Sequence, residues 1–298
     1  MSNVSREIYV VVVNYYSSGL LTELLESLDL TPITALMIVD NSDDMCEWSR
    51  IRSAASRFGV DCIQMSSNLG FGAGVNRGVK ALNPSDESHI WILNPDTVVR
   101  PDTAVALMTA LSDSGADIAS PLIVTDPSER VWYGGGNFDS RRGRTCHWSD
   151  APDVITECTF VTGAAMMIRG LAWRRLGGFR EDLFMYWEDA ELCIRAHQRG
   201  MKMVIVPSVA IWHAVGGTAN DSGKSALYYF YMQRNRILIL GEYFGLGGLV
   251  GVSAILEALR IGVRPFREES QRVRKFTASA RGIVHGLRLL AGRSSGIV

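Results

Sequence analysis

The chain has 298 residues, 47% of them hydrophobic and 20% charged, which suits one large α/β domain or a domain with an extension. Its formal net charge of -1 argues against general nucleic-acid binding, so we expect no nucleic-acid partner. The five cysteines form no CxxC pair, and the first residues lack the pattern of a secretory signal peptide. These features predict reduced thiols and a cytoplasmic location.

Four short apolar runs in the first third of the chain alternate with helical patterns and end in polar residues. They cover residues 8–13, 35–39, 60–65 and 90–93. This alternation predicts a parallel sheet with right-handed crossovers. The carboxyl ends of parallel strands lie along one edge of a sheet, where ligands bind. We therefore expect the polar residues after these runs to line a common site.

The fourth run stops at Asn94-Pro95-Asp96. Because proline cannot donate to a strand ladder, the strand should end there and leave the side chains of Asn94 and Asp96 at its carboxyl end. A carboxylate in that position can bind a divalent cation and, through it, a phosphate. The alternative is that Asp96 only begins a turn before the next helix.

Two earlier features each allow a functional and a structural interpretation. The segment from Asn68 to Gly78 has glycines at 70, 72, 74 and 78, which is not the spacing of dinucleotide-binding loops. Its backbone N–H groups could donate hydrogen bonds to phosphate oxygens, or its small residues could allow close packing of helix on sheet. Asp40, after the second run, could bind a base or ribose, or form an Asx turn or helix cap.

The middle of the chain predicts hairpins and a long loop over residues 117–160, then a buried strand over 164–168. Glu188 and Asp189 open a helix after the aromatic run 184–187. A carboxylate among aromatic rings can have a raised pKa and act as a general base, although acids also suit a first helical turn. His213 follows a strand and could complete a metal site with Asp96, or be structural.

The last part of the chain predicts a helix over residues 220–240 and a basic, amphipathic tail. Beyond Glu257 the sequence has nine basic residues against three acidic ones, counting Glu257. Such a tail could contact an anionic membrane, or form helices packed on the domain or on a second subunit in a homo-oligomer. We predict that the helix exposes Tyr228, Tyr229, Tyr231, Arg234, Asn235 and Arg236.

The succession VVVNYY, IVDNSDD, NLGFGAGVNRG, WILNPDT, GAAMMIR and GGFREDLFMYWEDAELCIRA, with a late histidine, resembles the family 2 glycosyltransferases of the GT-A fold. The resemblance covers residues 8–240 and is strongest to bacterial rhamnosyltransferases that build O-antigen and cell-wall polysaccharide. It implies an α/β fold with a mixed, mostly parallel central sheet flanked by helices. The implied domain covers residues 1–240, with a nucleotide-binding half to about 115 and an acceptor half from 116. Residues 241–298 form a helical extension.

The same resemblance implies roles for individual residues. Asp189 would be the general base, with Glu188 beside it. Asp96 would bind Mg²⁺ or Mn²⁺, assisted by His213, and Gly163, Ala164 and Trp187 would border the acceptor. The nucleotide-sugar would lie along eight residues: Asn14, Asp40, Asn68, Gly70, Gly74, Asn76, Asn94 and Asp96.

The implied reaction transfers one sugar with inversion, with dTDP-β-L-rhamnose favoured as donor and UDP-hexose, UDP-N-acetylhexosamine or UDP-galactofuranose as alternatives. The acceptor would be a saccharide or a polyprenyl-diphosphate-linked saccharide, reached from the cytoplasm with peripheral contact to the inner face of the membrane.

The sequence departs from the family pattern in two places. Asn94 replaces an acid of the DxD metal motif, and the Gln-x-x-Arg-Trp motif of processive synthases is missing, which favours single transfers.

Two other functions remain open from the sequence. A nucleotide-sugar-binding protein without activity fits the weakened metal motif, although the Glu188-Asp189 pair argues against it. A nucleotidyltransferase would place its glycine-rich loop directly after the first strand, where this chain has Asn14-Tyr15-Tyr16-Ser17.

Overall fold

A computed structural model describes residues 7–125, 129–214 and 224–294. The chain forms two compact units, one comprising Met1–Asn137, His147–Phe184 and Glu188–Val215, the other Phe138–Cys146, Met185–Trp187 and Gly216–Val298. The boundary predicted after residue 240 falls inside a helix, Ala226–Val250, whose residues Tyr229, Ile237 and Leu240 are all buried. The helical unit therefore begins before that helix.

The glycines at 216 and 217, which follow His213 in the chain, lie outside the described residues.

The first unit is built on a ten-stranded sheet in the order β10-β12-β6-β11-β4-β1-β2-β3, with β5 paired to β12 and β7 to β6. Strands β8 and β9 form a separate hairpin. The strands are β1 (Ile8–Asn14), β2 (Ala35–Asp40), β3 (Asp61–Gln64), β4 (His89–Leu93), β5 (Thr97–Val99), β6 (Ile118–Thr125), β7 (Arg130–Tyr133), β8 (Gly136–Asp139), β9 (Arg144–His147), β10 (Thr156–Glu157), β11 (Ala165–Arg169) and β12 (Met203–His213).

Helices flank this sheet: α1 (Ser18–Ser27), α2 (Met45–Phe58), α3 (Phe71–Leu82), α4 (Thr103–Ser114), α5 (Gly170–Leu176) and α6 (Glu188–Gln198), with a 3₁₀ turn at Glu181–Leu183. The strands β1 to β4 are mutually parallel, and β11 runs antiparallel between β4 and β6. The mixed, mostly parallel sheet predicted from the sequence is confirmed.

The strand register brings the polar ends of the central strands to one edge. Asn14 pairs with Asp40, and Val12 pairs with Leu93. Because β11 is antiparallel, its first residue, Ala165, pairs with Leu93, the last residue of β4. The loop before β11 therefore lies at the same edge as the carboxyl ends of the parallel strands.

Glycines in α3 let this helix approach the sheet closely. A Cβ at Gly78 would lie 2.6 Å from Val11 Cγ1, and one at Gly74 would lie 2.9 Å from Val13 Cγ1. Real Cβ atoms do not approach other carbons that closely, so both positions require glycine. For Gly74 and Gly78, the packing interpretation of the glycine-rich segment is correct.

The second unit is helical: α7 (Ala226–Val250), α8 (Val252–Val263), a 3₁₀ turn at Arg264–Arg267, and α9 (Arg272–Ser294). The predicted C-terminal helical part is confirmed. The predicted exposure of the α7 polar residues is wrong for four of them, because Tyr229, Arg234, Asn235 and Arg236 are all buried.

These buried polar groups are hydrogen-bonded within the unit, as burial requires. The Arg236 guanidinium donates to the carbonyl oxygens of Gly143, Arg142 and Ala254 at 3.0, 2.7 and 2.7 Å. Glu268 accepts from the Tyr229 hydroxyl at 2.5 Å. Periodicity could not distinguish a polar surface from these internal contacts.

Helix α9 approaches α7 closely at Gly282. A Cβ at Gly282 in α9 would lie 2.2 Å from the backbone oxygen of Phe230, whereas a Cβ at Gly292 in the same helix would meet nothing within 4 Å. We expect Gly282→Ala to lower the free energy of unfolding by about 1–3 kcal/mol through overpacking. Gly292→Ala should instead be neutral or stabilising by up to about 1 kcal/mol, because alanine has the higher helix propensity. Urea denaturation of both variants measures the difference; equal effects would contradict the assigned contact.

Candidate active site

The carboxylate of Asp189, in the first turn of α6, is held by two backbone N–H groups. Gly163 N donates to Oδ2 at 3.1 Å, and Ala190 N donates to Oδ1 at 2.7 Å. Next to Gly163, the carbonyl of Ala164 accepts from Asn94 N at 2.9 Å. The short segment before β11 thus connects the predicted base with the Asn94-Pro95-Asp96 turn. The structure brings together these predicted site residues.

Burial raises the pKa of Asp189, and the hydrogen bonds from Gly163 and Ala190 offset part of that rise. Burial, and then the negative charge of Asp189, raise the pKa of Glu188 to about 8. The two N–H groups favour the charged form of Asp189, and Glu188 has no comparable donors to its carboxylate among the described residues, so any negative charge on the pair is favoured on Asp189. Glu188 Oε2 is buried and has no hydrogen-bond partner among the residues that the structure describes.

The residues immediately before the acid pair have an unusual backbone. Phe184, Tyr186 and Trp187 have φ values of 64°, 63° and 74°, the left-handed region that side chains other than glycine rarely adopt. The carbonyl of Phe184 accepts from Phe71 N at 3.1 Å, and its oxygen occupies the space where a Gly70 Cβ would be, only 1.9 Å away. Gly70 therefore allows the glycine-rich segment to contact this turn.

Asp96 and His213 form the predicted pair: His213 Nε2 lies 3.0 Å from Asp96 Oδ1. The ring of Trp132 on β7 packs edge-on against the His213 ring at 5.3 Å. Two ligands in adjacent octahedral positions about 2.1 Å from an ion are about 3 Å apart, so this separation fits joint ligation of Mg²⁺ or Mn²⁺. Within the described ranges, no three His, Cys, Asp or Glu side chains cluster around one point, so the remaining ligands would be substrate phosphate and water.

The predicted donor residues at β1 and β2 form a buried polar network. Asn14 Nδ2 donates to Asp40 Oδ1 at 2.9 Å and to Glu47 Oε1 at 3.1 Å, while its Oδ1 accepts from Ser17 N. Asn14 is fully buried and orients Asp40, and its contact with the donor stays a prediction. Asp40 Oδ2 is also buried and has no hydrogen-bond partner in the described part of the chain.

Sequence reasoning missed Glu47. Burial alone would raise its pKa, but hydrogen bonds from Asn14, Ser18 and Arg50 hold that pKa below its usual value. Asp44 and Glu47 have the spacing of a capping box, and Asp44 Oδ1 accepts from Glu47 N at 2.8 Å. The spacing marks the start of α2, whereas the contact with Asn14 depends on the fold.

Several other predicted residues have different environments from those expected. Asn76 tethers α3 to the loop before the 3₁₀ turn, since its amide donates to Phe179 O and Glu181 Oε1, both at 2.9 Å, and its Oδ1 accepts from Phe179 N. The donor contact of Asn76 stays a prediction. Asn68 Oδ1 accepts from Gly70 N at 2.9 Å and shapes the loop.

Two predicted acceptor residues are buried. Ala164 is 4% exposed and contributes through its carbonyl. Trp187 is 6% exposed, and its ring packs on Phe138 within the second unit. A buried ring offers little surface to an acceptor, so Trp187 is a packing residue in this structure.

Comparison with known proteins matches residues 5–235 to the family model described as Glycosyltransferase like family 2. One curated relative, N-acetylglucosaminyl-diphospho-decaprenol L-rhamnosyltransferase of Mycobacterium tuberculosis, is 28% identical over 68% of this chain and 75% of its own length. Another, the low-salt glycan biosynthesis hexosyltransferase Agl10 of Haloferax volcanii, is 22% identical over 80% of this chain and 76% of its own.

Among solved structures, GalNAc-T7 with UDP, GalNAc and Mn²⁺ superposes with a TM-score of 0.67 at 13% identity, over 100% of this chain and 58% of that chain. At this identity the likeness shows the fold alone, and it confirms the predicted GT-A fold. The family match covers more than half of the residues and includes the Asn94-Pro95-Asp96 turn and the Glu188-Asp189 pair. The chain belongs to glycosyltransferase family 2 and is a glycosyltransferase of the GT-A fold.

Proposed function

We propose that this enzyme transfers a single L-rhamnosyl unit from dTDP-β-L-rhamnose, with inversion, to a saccharide or lipid-linked saccharide used in cell-surface polysaccharide. The observation that carries the inverting chemistry is the carboxylate of Asp189, held by the backbone N–H groups of Gly163 and Ala190. The rhamnosyltransferase from Mycobacterium tuberculosis supports the sugar and a polyprenyl-linked acceptor. The hexosyltransferase relative keeps hexose donors as the competing choice.

In this mechanism Asp189 accepts the proton of the acceptor hydroxyl while that oxygen attacks the anomeric carbon. The nucleoside diphosphate leaves from the opposite face, which inverts the centre. Glu188, protonated, leaves Asp189 as the only charge of the pair and keeps it basic. Asp96 and His213 would hold a divalent cation, whose Lewis-acid chemistry offsets the charge of the departing diphosphate.

Donor and metal can be tested together by thermal unfolding with dTDP-β-L-rhamnose, UDP-glucose, UDP-N-acetylglucosamine and UDP-galactofuranose, each with and without Mn²⁺. We expect dTDP-rhamnose with Mn²⁺ to stabilise the protein most, by about 2.7 kcal/mol at about 100 times its Kd. Asp96→Asn should remove the Mn²⁺-dependent part and leave the unliganded midpoint little changed. If only a hexose donor stabilises the protein, rhamnose is not the donor sugar. If stabilisation by the donor depends on neither Mn²⁺ nor Asp96, the proposed metal site is wrong.

The assignment of the base predicts different effects for the two acids. Asp189→Asn should lower kcat about 10²–10⁴-fold, because it removes the proton acceptor. Glu188→Gln should lower it far less, because the amide imitates a carboxyl that stays protonated. Steady-state kinetics at saturating donor measures both, with donor-induced stabilisation as the check on folding. Near-normal transfer by the Asp189 variant would exclude it as the base.

We also propose that the second unit contacts an anionic membrane surface through one face of α8. Val252, Leu256, Leu259 and Val263 lie on one side of that helix and are 76%, 60%, 58% and 49% exposed. Arg264, Arg267 and Arg272 follow in the chain and supply positive charge suited to anionic lipid. An apolar face with adjacent arginines is typical of interfacial helices.

This contact would lie along the surface of the bilayer. No single described helix is long and apolar enough to cross a membrane; only the pair Ala226–Val250 and Val252–Arg267, bent by 100°, meets the length and composition criteria together. The lipid surface would bring a polyprenyl-linked acceptor within reach of the enzyme.

Co-sedimentation with vesicles of phosphatidylglycerol and phosphatidylcholine tests the lipid contact. We expect the wild-type chain to bind, more weakly at high salt, because part of the attraction is electrostatic. The double substitution Leu256→Glu and Leu259→Glu should abolish binding. Val154→Glu, which alters a residue 69% exposed in the first unit, is the matched control and should bind normally. Equal binding by all three proteins would contradict the proposed contact of α8 with the membrane.

A further inference from the structure

The turn formed by residues 184–187, called here the acid-pair turn, concentrates backbone strain in front of Glu188. Nine non-glycine residues of the described chain have a positive φ, and three of them, Phe184, Tyr186 and Trp187, lie in this turn. Such residues are strained and persist only where the surrounding structure holds them in place.

The side chain of Asn235, in α7, makes two hydrogen bonds to this turn within the second unit. Its Nδ2 donates to the carbonyl oxygens of Met185 at 2.9 Å and Tyr186 at 2.8 Å. Arg234 Nη1 donates to Asn235 Oδ1 at 2.7 Å, which fixes the orientation of the amide. Because Asn235 is fully buried, water cannot substitute for these bonds.

We propose that Asn235 is a positioning residue for the general base, acting through the Met185 and Tyr186 carbonyls, an inference that rests on the proposed function. The acid pair follows the turn without an intervening residue, so the backbone angles at Tyr186 and Trp187 set the direction in which α6 begins. Gly163 holds Asp189 from the other side of its carboxylate. If the Asn235 contact is lost, Tyr186 and Trp187 can relax to ordinary angles, and the start of α6 turns with them.

Loss of the contact between Asn235 and the acid-pair turn should affect catalysis as well as the stability of the fold. Displacing a reacting group by about 1 Å can cost about 10²-fold in rate. A buried asparagine that serves only α7 would be expected to bond to α7 or its helical neighbours. Instead, both of its donor hydrogens reach carbonyls of a strained turn about 50 residues earlier in the sequence.

Gln233 supplies a matched control. It lies in the same helix, is fully buried, and also makes two hydrogen bonds, from Nε2 to Ala258 O at 2.9 Å and to Ser279 Oγ at 3.4 Å. Both of its partners lie in α8 and α9, away from the turn. Gln233→Ala and Asn235→Ala therefore remove a similar polar contact from the same helix, and only the second alters the acid-pair turn.

Steady-state kinetics provides the first test, at a temperature where thermal unfolding shows every variant folded. We expect Asn235→Ala to lower kcat about 10–100-fold with donor KM unchanged. Asn235→Asp, which is isosteric but sets a carboxylate against two carbonyl oxygens, should be at least as severe. Asn235→Ser, which keeps one donor, should recover part of the activity, and it serves as the test variant if the others fail to fold. Gln233→Ala should stay near the wild-type kcat.

Cleavage by chymotrypsin tests the contact independently of activity. Phe184, Tyr186 and Trp187 are all aromatic cleavage sites, and we expect Asn235→Ala to be cut at these residues faster than Gln233→Ala at equal stability. Equal kcat and equal cleavage in the two variants would overturn the inference. Faster cleavage with unchanged kcat would also overturn it, because Asn235 would then be structural only. An inactive wild-type protein would instead refute the proposed function.

Discussion

The antiparallel insertion of β11 beside β4 is the constraint on which the active site depends. A purely parallel sheet would place the start of β11 at the opposite edge, remote from the Asn94-Pro95-Asp96 turn. With the observed register, Ala165 faces Leu93, so Gly163 and Ala164 arrive at the carboxyl edge. Their backbone groups then hold Asp189 on one side and Asn94 on the other. Small residues suit this position, because the groups that act here are main-chain N–H and C=O.

At this edge the pKa of one carboxylate is lowered and that of another is raised, although burial acts to raise both; hydrogen bonding makes the difference. Glu47 receives bonds from Asn14 and Ser18 and keeps its charge at lower pH than an ordinary glutamate. Glu188, buried beside the charge of Asp189, has a pKa of about 8 and keeps its proton. Glu47 is thus a charged member of the Asn14 network, while burial favours the neutral form of Glu188 beside Asp189. The same physical term, desolvation, is present in both.

The sequence predicted the strands, the common edge, the acid pair and the partnership of Asp96 with His213, because each rests on local pattern or on the order of strand ends. It could not distinguish Asn76 as a tether, since an asparagine in a glycine-rich helix start suits a ligand contact equally well. It also placed Tyr229, Arg234, Asn235 and Arg236 on the surface, because polarity normally indicates exposure. Their partners are mostly backbone carbonyls, which carry no sequence signal.

The helical unit therefore contributes more than a basic extension. Arg236 and Glu268 hold its own elements together, whereas Asn235 connects α7 to the turn that precedes the acid pair. Three left-handed residues in four could not be maintained by the turn itself, since the aromatic side chains there have no intrinsic preference for such angles. The strain marks a position where geometry matters more than stability. A base directed at one acceptor hydroxyl is such a position, because its rate depends on distances that α6 alone would not fix.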